Sequence, residues 1–373
     1  MITADESLAK AQAILAEERL EALVVASPVN VRYLAGTSFL TMRTIPDRLG
    51  IVVVTPERQA FIYCSIEEGH ARQESWLTEL VPYTEFKDPP MSVLAAWLRG
   101  CGITSGRVGV ELGYLTARHH RELERALPGV RPVGVDASLD QARAIKTPAE
   151  IATIKDIARA TDASIRAAFE RARAGMTERE LAEIMLSEAR GRGARTLIHQ
   201  VLATGANGFK AHAAPGATPL APGDVVRTDF GMVWQGEYLS DVAKTAFVGE
   251  PSRAQRDVYA RLEEVHQIVA RSMRGGVRAR DVFRLCAELM EDAGLDFWAP
   301  HIGHSIGLGL HENPMLQPFE ETALEVGMVF MLEPLVTGPD GYYHVEDLII
   351  VGPDSGEIVS RAADWSVPMA IGH

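Results

Sequence analysis

Residues 225–249, VVRTDFGMVWQGEYLSDVAKTAFVG, decide how the chain is read. Two strand-like apolar runs flank the turn-prone Gln235-Gly236-Glu237, so the spacing predicts an antiparallel hairpin. Asp229 and Asp241, 12 residues apart, would then sit on adjacent strands, close enough to share a cation. Alone, Asp229 reads as a turn residue and Asp241 as a helix cap. The pair in one hairpin carries more weight than either residue.

Working outward, three more stretches place acids or a histidine in strand-like or turn contexts. His304 lies in GHSIGLGLHENP (303–314), Glu333 in GMVFMLEP (327–334) and Glu346 in HVEDLIIV (344–351). Glu333 ends an apolar strand before Pro334, and Glu346 precedes Leu348-Ile349-Ile350-Val351, so both carboxylates are poorly solvated. A buried carboxylate needs a cation or a proton. If the four carboxylates converge with the one imidazole, the set is oxygen-rich and suits Mn²⁺, Co²⁺ or Zn²⁺ in pairs about 3.5–4 Å apart. Clustered, the acids would carry a charge of about −4, which two divalent ions would neutralise.

Composition narrows the partners. The chain has 373 residues, 47% hydrophobic and 23% charged, as expected of a globular enzyme of about two domains. With 37 Lys+Arg against 50 Asp+Glu, the net charge of −13 repels phosphate backbones, and no nucleic-acid partner is expected. MITADESLAK shows no basic segment leading into an apolar run, so no signal peptide is expected. No apolar stretch is long enough to cross a membrane, and a membrane partner is not expected either. Cys64, Cys101 and Cys286 are few and odd in number, which fits free thiols in a reducing cytoplasm.

The first ~135 residues alternate between helical and strand patterns, as in an α/β layer with a mixed sheet. A hairpin is predicted from 50–55 and 60–64, and helices near 91–100 and 116–127 alternate with strands near 107–111 and 130–135. Between 137 and 150, SLDQARAIKTPAE breaks the pattern, and the domain boundary is placed there, giving domains 1–140 and 141–373. A long helix is predicted over 149–173, ending at Gly175, and Thr177-Glu178-Arg179-Glu180 forms a capping box opening the next helix. Further helices are expected at about 252–273 and 279–293. No internal repeat is visible.

These motifs, in this order, resemble the pita-bread metallohydrolases of the creatinase/prolidase/aminopeptidase P group. The resemblance extends to TGANGFKAHAAPGATPLAPGD, RAIKTPAEIATIK and VNVRYLAGT, and so covers nearly the whole chain. It implies an α+β fold, with a creatinase/prolidase-like N-terminal α/β domain followed by a pita-bread catalytic domain. It implies two divalent metal ions: Asp229 chelates the first, Asp241 and Glu346 bridge, and His304 and Glu333 hold the second. A metal-bridging hydroxide would attack the scissile carbonyl, Glu333 would relay the proton to the leaving amine, and His212 and His311 would be the two outer catalytic histidines. A homodimer and a short peptide or small amide substrate are implied as well.

Three departures bear on substrate. The aspartate pair is one residue wider than is usual, so a bulge or longer loop is expected in the hairpin. His344 stands where the group often has Arg, and Lys244 where peptidases commonly have Arg. Of the remaining histidines, His70, His119, His120 and His266 are expected on the surface. His199 is expected in the core rather than in the pocket, and the role of His301 is left open. The leading reading is an Xaa-Pro dipeptidase or aminopeptidase. A creatinase-like hydrolase of a small non-peptide amide or amidine, and a non-catalytic pita-bread peptide-binding module, are the alternatives.

Overall fold

The computed structural model describes residues 1–45 and 47–372. The chain divides into two compact units, one spanning Ile2–Arg143 and the other running from Ala144 onward together with Met1.

The first unit is built on six strands: β1 (Ala22–Val25), β2 (Ile51–Val54), β3 (Gln59–Cys64), β4 (Leu80–Tyr83), β5 (Gly106–Val110) and β6 (Val130–Gly134). They lie in the order β4-β3-β2-β1-β5-β6. β2 and β3 form the expected antiparallel hairpin, in which Thr55 N donates to Arg58 O to close the turn. The β3–β4, β1–β5 and β5–β6 pairs are parallel, which requires crossovers; helices Glu68–Glu74 and Ala117–Ala126 supply two of them. Val24, Val53 and Ile62 pack in one core with Leu94 and Leu98 of helix Pro90–Gly100. Each such burial contributes roughly 1.5–3 kcal/mol relative to exposure.

The second unit opens on helices Pro148–Arg171 and Glu178–Gly191. Both carry capping boxes: Thr147 with Glu150, and Thr177 with Glu180. Pro148 occupies the start of its helix, where a missing N–H costs nothing. Three antiparallel strands follow: β7 (Thr196–Thr204), β8 (Val225–Val233) and β9 (Leu239–Val248). A second helix pair, Arg253–Ser272 and Ala279–Asp292, leads into β10 (Asp296–Phe297), β11 (Gly303–Ser305), β12 (Glu312–Met315), β13 (Val329–Leu332) and β14 (Leu335–Gly338). β15 (Gly341–His344), β16 (Asp347–Val351), β17 (Gly356–Ile358) and β18 (Met369–Ile371) complete the unit. The sheets are ordered β18-β9-β8-β7, β12-β11-β13-β16-β17 and β10-β14-β15.

The second unit repeats itself in a way the sequence does not show. After each long helix a glycine with positive φ makes the turn, Gly175 (φ 85) and Gly276 (φ 87). Gly175 N donates to Leu220 O and Gly276 N to Leu324 O, both at 2.8 Å. β8 follows Leu220 as β13 follows Leu324, so Asp229 and Glu333 stand at equivalent places in the two halves.

Two local expectations change. The 137–150 segment is largely helical, Asp136–Ala144, because Leu139 and Ala144 bury an apolar face. The long helix stops at Arg171 with Ala172 as its cap, and Gly175 serves the turn after it.

Candidate metal centre

The β8–β9 hairpin keeps one register throughout, from Val225 opposite Phe247 to Val233 opposite Leu239. The extra residue is taken up in the connection, where Gly236 and Glu237 both have positive φ and Trp234 N donates to Tyr238 O. The bulge lies instead in β7, where the pairing to β8 shifts between Leu197 and His199. Asp241 faces Gly231, two residues along β8 from Asp229, so the two carboxylates share a face.

On that same face His199 also lies opposite Gly231. Its Nε2 is 2.6 Å from Asp229 Oδ1 and 3.1 Å from Asp241 Oδ1. A Cβ at position 231 would come within 2.3 Å of the His199 ring, so only glycine leaves it room. Placement of His199 in the core was therefore the wrong expectation, because the bulge turns the ring onto the carboxylate face.

The other half of the centre comes from the second set of strands. His304, fully buried on β11, has Nε2 3.7 Å from Asp241 Oδ2 and 3.5 Å from Glu333 Oε1. Glu333 follows β13, and Glu346 precedes β16, its N–H donating to Ala243 O of β9 at 3.1 Å. Potential donor atoms fall into three overlapping groups, each within 4.8 Å: His199, Asp229 and Asp241; Asp241, His304 and His311; His304, Glu333 and Glu346. The structure thus brings together Asp229, Asp241, His304, Glu333 and Glu346. Buried oxygens of Asp241, Glu333 and Glu346, and His304 Nε2, have no hydrogen-bond partner. That donor set fits divalent cations, since buried polar atoms otherwise carry a large penalty.

The outer histidines line the cavity, whose volume is about 590 Å³. His212 is exposed on the stretch between β7 and β8. His311 stacks on His304 at 4.0 Å between ring centroids. The turn carrying His311 is anchored by buried Glu312, which accepts from Gly309 N and pairs with Lys146 at 2.9 Å. His301 also lines the cavity, with Nδ1 3.5 Å from Glu333 Oε1.

Charges at the centre divide sharply. Burial, then the neighbouring Asp229, push the Asp241 carboxyl up to about 6. Burial, with Asp241, Glu333 and Asp229 adding, pushes Glu346 well above the usual carboxylate range. Against burial, the His199 hydrogen bond holds Asp229 below that range. His199 itself, though burial disfavours its charge, is raised to about 10 by Asp229 and Asp241. Burial, then His304, lowers His311 to about 4.

The departures acquire places. His344, buried, has neither ring nitrogen hydrogen-bonded, and burial lowers it to about 4. Lys244 is also buried; it donates to Glu346 O at 3.0 Å and to Asp347 Oδ1 at 2.8 Å. Arg227, two residues before Asp229, escaped the sequence reading. It is buried, and its guanidinium donates to Lys210 O and Ala211 O, holding the segment that ends in His212.

Two histidines expected on the surface are buried, His119 and His266. His266 Nε2 is 3.2 Å from the carbonyl oxygen of Leu332, the residue before Glu333. Among the described residues no helix is long and apolar enough to cross a membrane.

Residues 152–353 match the metallopeptidase family M24 profile, and residues 8–145 match the Creatinase/Prolidase N-terminal domain. An Xaa-Pro dipeptidase of Pyrococcus furiosus is 26% identical over 363 residues, covering 95% of this chain and 98% of that protein. One from Lactobacillus helveticus is 25% identical over 360 residues, covering 93% and 95%. A dipeptidase structure from Mycobacterium ulcerans aligns at a TM-score of 0.86 and 25% identity, covering 99% of this chain and 98% of that one. The α+β class, with a creatinase/prolidase-like domain before a pita-bread domain, holds. With its profile spanning more than half of the sequence, the chain belongs to metallopeptidase family M24.

Proposed function

We propose that the protein is a dinuclear-metal-dependent peptidase that cleaves the Xaa-Pro bond of short peptides. One observation carries this reading: Asp241 belongs both to the group with Asp229 and to the group with His304, so it can bridge two ions. Asp229 would complete one site, His304 and Glu333 the other, with Glu346 shared between them. Mn²⁺, Co²⁺ and Zn²⁺ all suit these donors. Bound there, divalent ions supply Lewis acidity toward a carbonyl and neutralise the carboxylates.

The chain's own groups do the rest. Glu333, at the cavity wall, takes the proton of the attacking water and delivers it to the leaving amine. His311, neutral at working pH, and His212 on the cavity rim donate to the carbonyl oxygen as charge develops. Relatives named Xaa-Pro dipeptidase, similar over nearly the full chain, support the substrate class. A homodimer is part of the same proposal.

A second reading, hydrolysis of a small non-peptide amide, is favoured by His344. A buried neutral imidazole there offers no fixed cation for a substrate carboxylate.

The test uses metal-stripped protein with Mn²⁺, Co²⁺ or Zn²⁺ restored. Amine release is followed from an Xaa-Pro dipeptide, an Xaa-Pro-Xaa tripeptide and a proline-free dipeptide. Metal-dependent cleavage of only the proline peptides is expected. No cleavage with two ions bound per chain would move the assignment to the small amide, and no metal binding would move it to a peptide-binding module.

A further inference from the structure

We infer that His199 is a nitrogen ligand of the ion held by Asp229 and Asp241, so that both metal positions carry an imidazole. The inference rests on the proposal that these aspartates bind a divalent ion, and it extends the ligand set by one residue.

Three observations place it. His199 Nε2 sits at the mouth of the aspartate pair, 2.6 Å from Asp229 Oδ1 and 3.1 Å from Asp241 Oδ1. Its other nitrogen, Nδ1, is buried without a hydrogen-bond partner, so no separate structural contact accounts for the ring. The backbone is arranged around it: the β7 irregularity between Leu197 and His199 brings the ring onto this face, and Gly231 leaves the space it fills. A histidine that merely filled a core would not need its polar edge against two carboxylates.

The chemistry has a consequence for metal choice. A site made only of carboxylates favours hard ions such as Mn²⁺, while an added imidazole moves preference toward Co²⁺ and Zn²⁺. With His304 on one side and His199 on the other, each position would have one nitrogen donor among oxygens.

Co²⁺-loaded full-length protein provides the readout. An imidazole bound to Co²⁺ shows a strongly shifted, exchangeable ring N–H proton resonance, one for each coordinated histidine. Wild type should show two, from His199 and His304, and His199→Asn should lose one. Calorimetric titration should show Co²⁺ or Zn²⁺ affinity falling roughly tenfold or more in His199→Asn, with a smaller loss for Mn²⁺. His199→Ala, with circular dichroism as a folding control, should behave alike.

A weaker affinity with both resonances intact would make His199 a hydrogen-bond donor to Asp229 and overturn the ligand assignment. So would a single resonance in wild type, or an unchanged spectrum in both variants, and either result leaves the metal centre standing. Absence of any Co²⁺ binding by wild type would overturn the ligand assignment together with the centre.

Discussion

Lys244 Nζ lies 2.8 Å from Asp347 Oδ1, and neither side chain reaches solvent. Arg361 also pairs with Asp347, at 2.8 Å, and Asp162 lies 3.6 Å from Lys244. Removing one member of a buried ion pair strands the other in a poor dielectric. Lys244→Met is expected to cost about 3 kcal/mol, near the lower end for such losses because Arg361 remains. Urea unfolding at neutral pH measures it, and a change below about 1 kcal/mol would contradict the account.

Gly231 is the second sensitive position. A Cβ there meets His199 Cε1 at 2.3 Å and Ser240 O at 3.1 Å. Gly231→Ala should push the imidazole off the aspartates and lower Co²⁺ affinity roughly tenfold. In a His199→Ala background the same change should cost much less, so a double-mutant cycle by calorimetry reads the coupling. Equal losses in both backgrounds would mean that Gly231 acts through the backbone.

The outer histidines should affect rate more than metal. His311→Ala and His212→Ala are each expected to lower kcat about 100-fold while the bound metal, read by elemental analysis, stays unchanged. Metal loss paralleling the rate loss would argue that His311 is a ligand, as its place in the group with Asp241 and His304 allows.

Metal affinity should depend on pH. Ions bind carboxylates only after protons leave, and Asp241 is raised to about 6 with Glu346 raised as well. Affinity is expected to fall as pH drops through about 6, by roughly tenfold per pH unit for each proton displaced. Stripping the metal with chelator should accordingly lower Tm. A pH-independent affinity between 5 and 7 would conflict with the carboxylate assignment.

In the first unit, His119 offers a separate titration. Its ring is buried, with Nδ1 3.1 Å from Thr116 Oγ1 and Nε2 3.2 Å from the Arg118 guanidinium. Burial, then Arg118, lowers its pKa below 6.5. The unfolded chain therefore takes up this proton at higher pH than the folded one. Stability from the neutral ring is full above 6.5 and is lost as pH falls toward the folded value. His119→Gln removes this titration, so its Tm deficit against wild type should shrink between pH 7 and 5.

Much of the centre is legible in the sequence because its acids break the local rules. Asp229, Glu333 and Glu346 interrupt or end apolar strands where a structural reading has no use for a charge. His199 is not legible, since its role depends on an irregular pairing and on a glycine of the neighbouring strand. The buried histidines did leave a signal. His266 follows Leu262 by four residues and precedes Val269 by three, and His119 precedes Leu123 by four, so each sits on an apolar helical face. The internal duplication is hard to see because its matching positions are few and far apart, such as Gly175 with Gly276 and Asp229 with Glu333, while most of the residues between them differ.

Glu346 N–H bonded to Ala243 O, with Lys244 donating to Glu346 O, forms a seam between the two halves of the second unit. Each half brings some of the candidate metal-binding groups and neither brings all. If the chain were cut in the turn between β9 and helix Arg253–Ser272, the two fragments would hold complementary parts of one charge-balanced joint. Their reassembly would then draw on the ions as cement, and fragment complementation would be switched by metal in the medium.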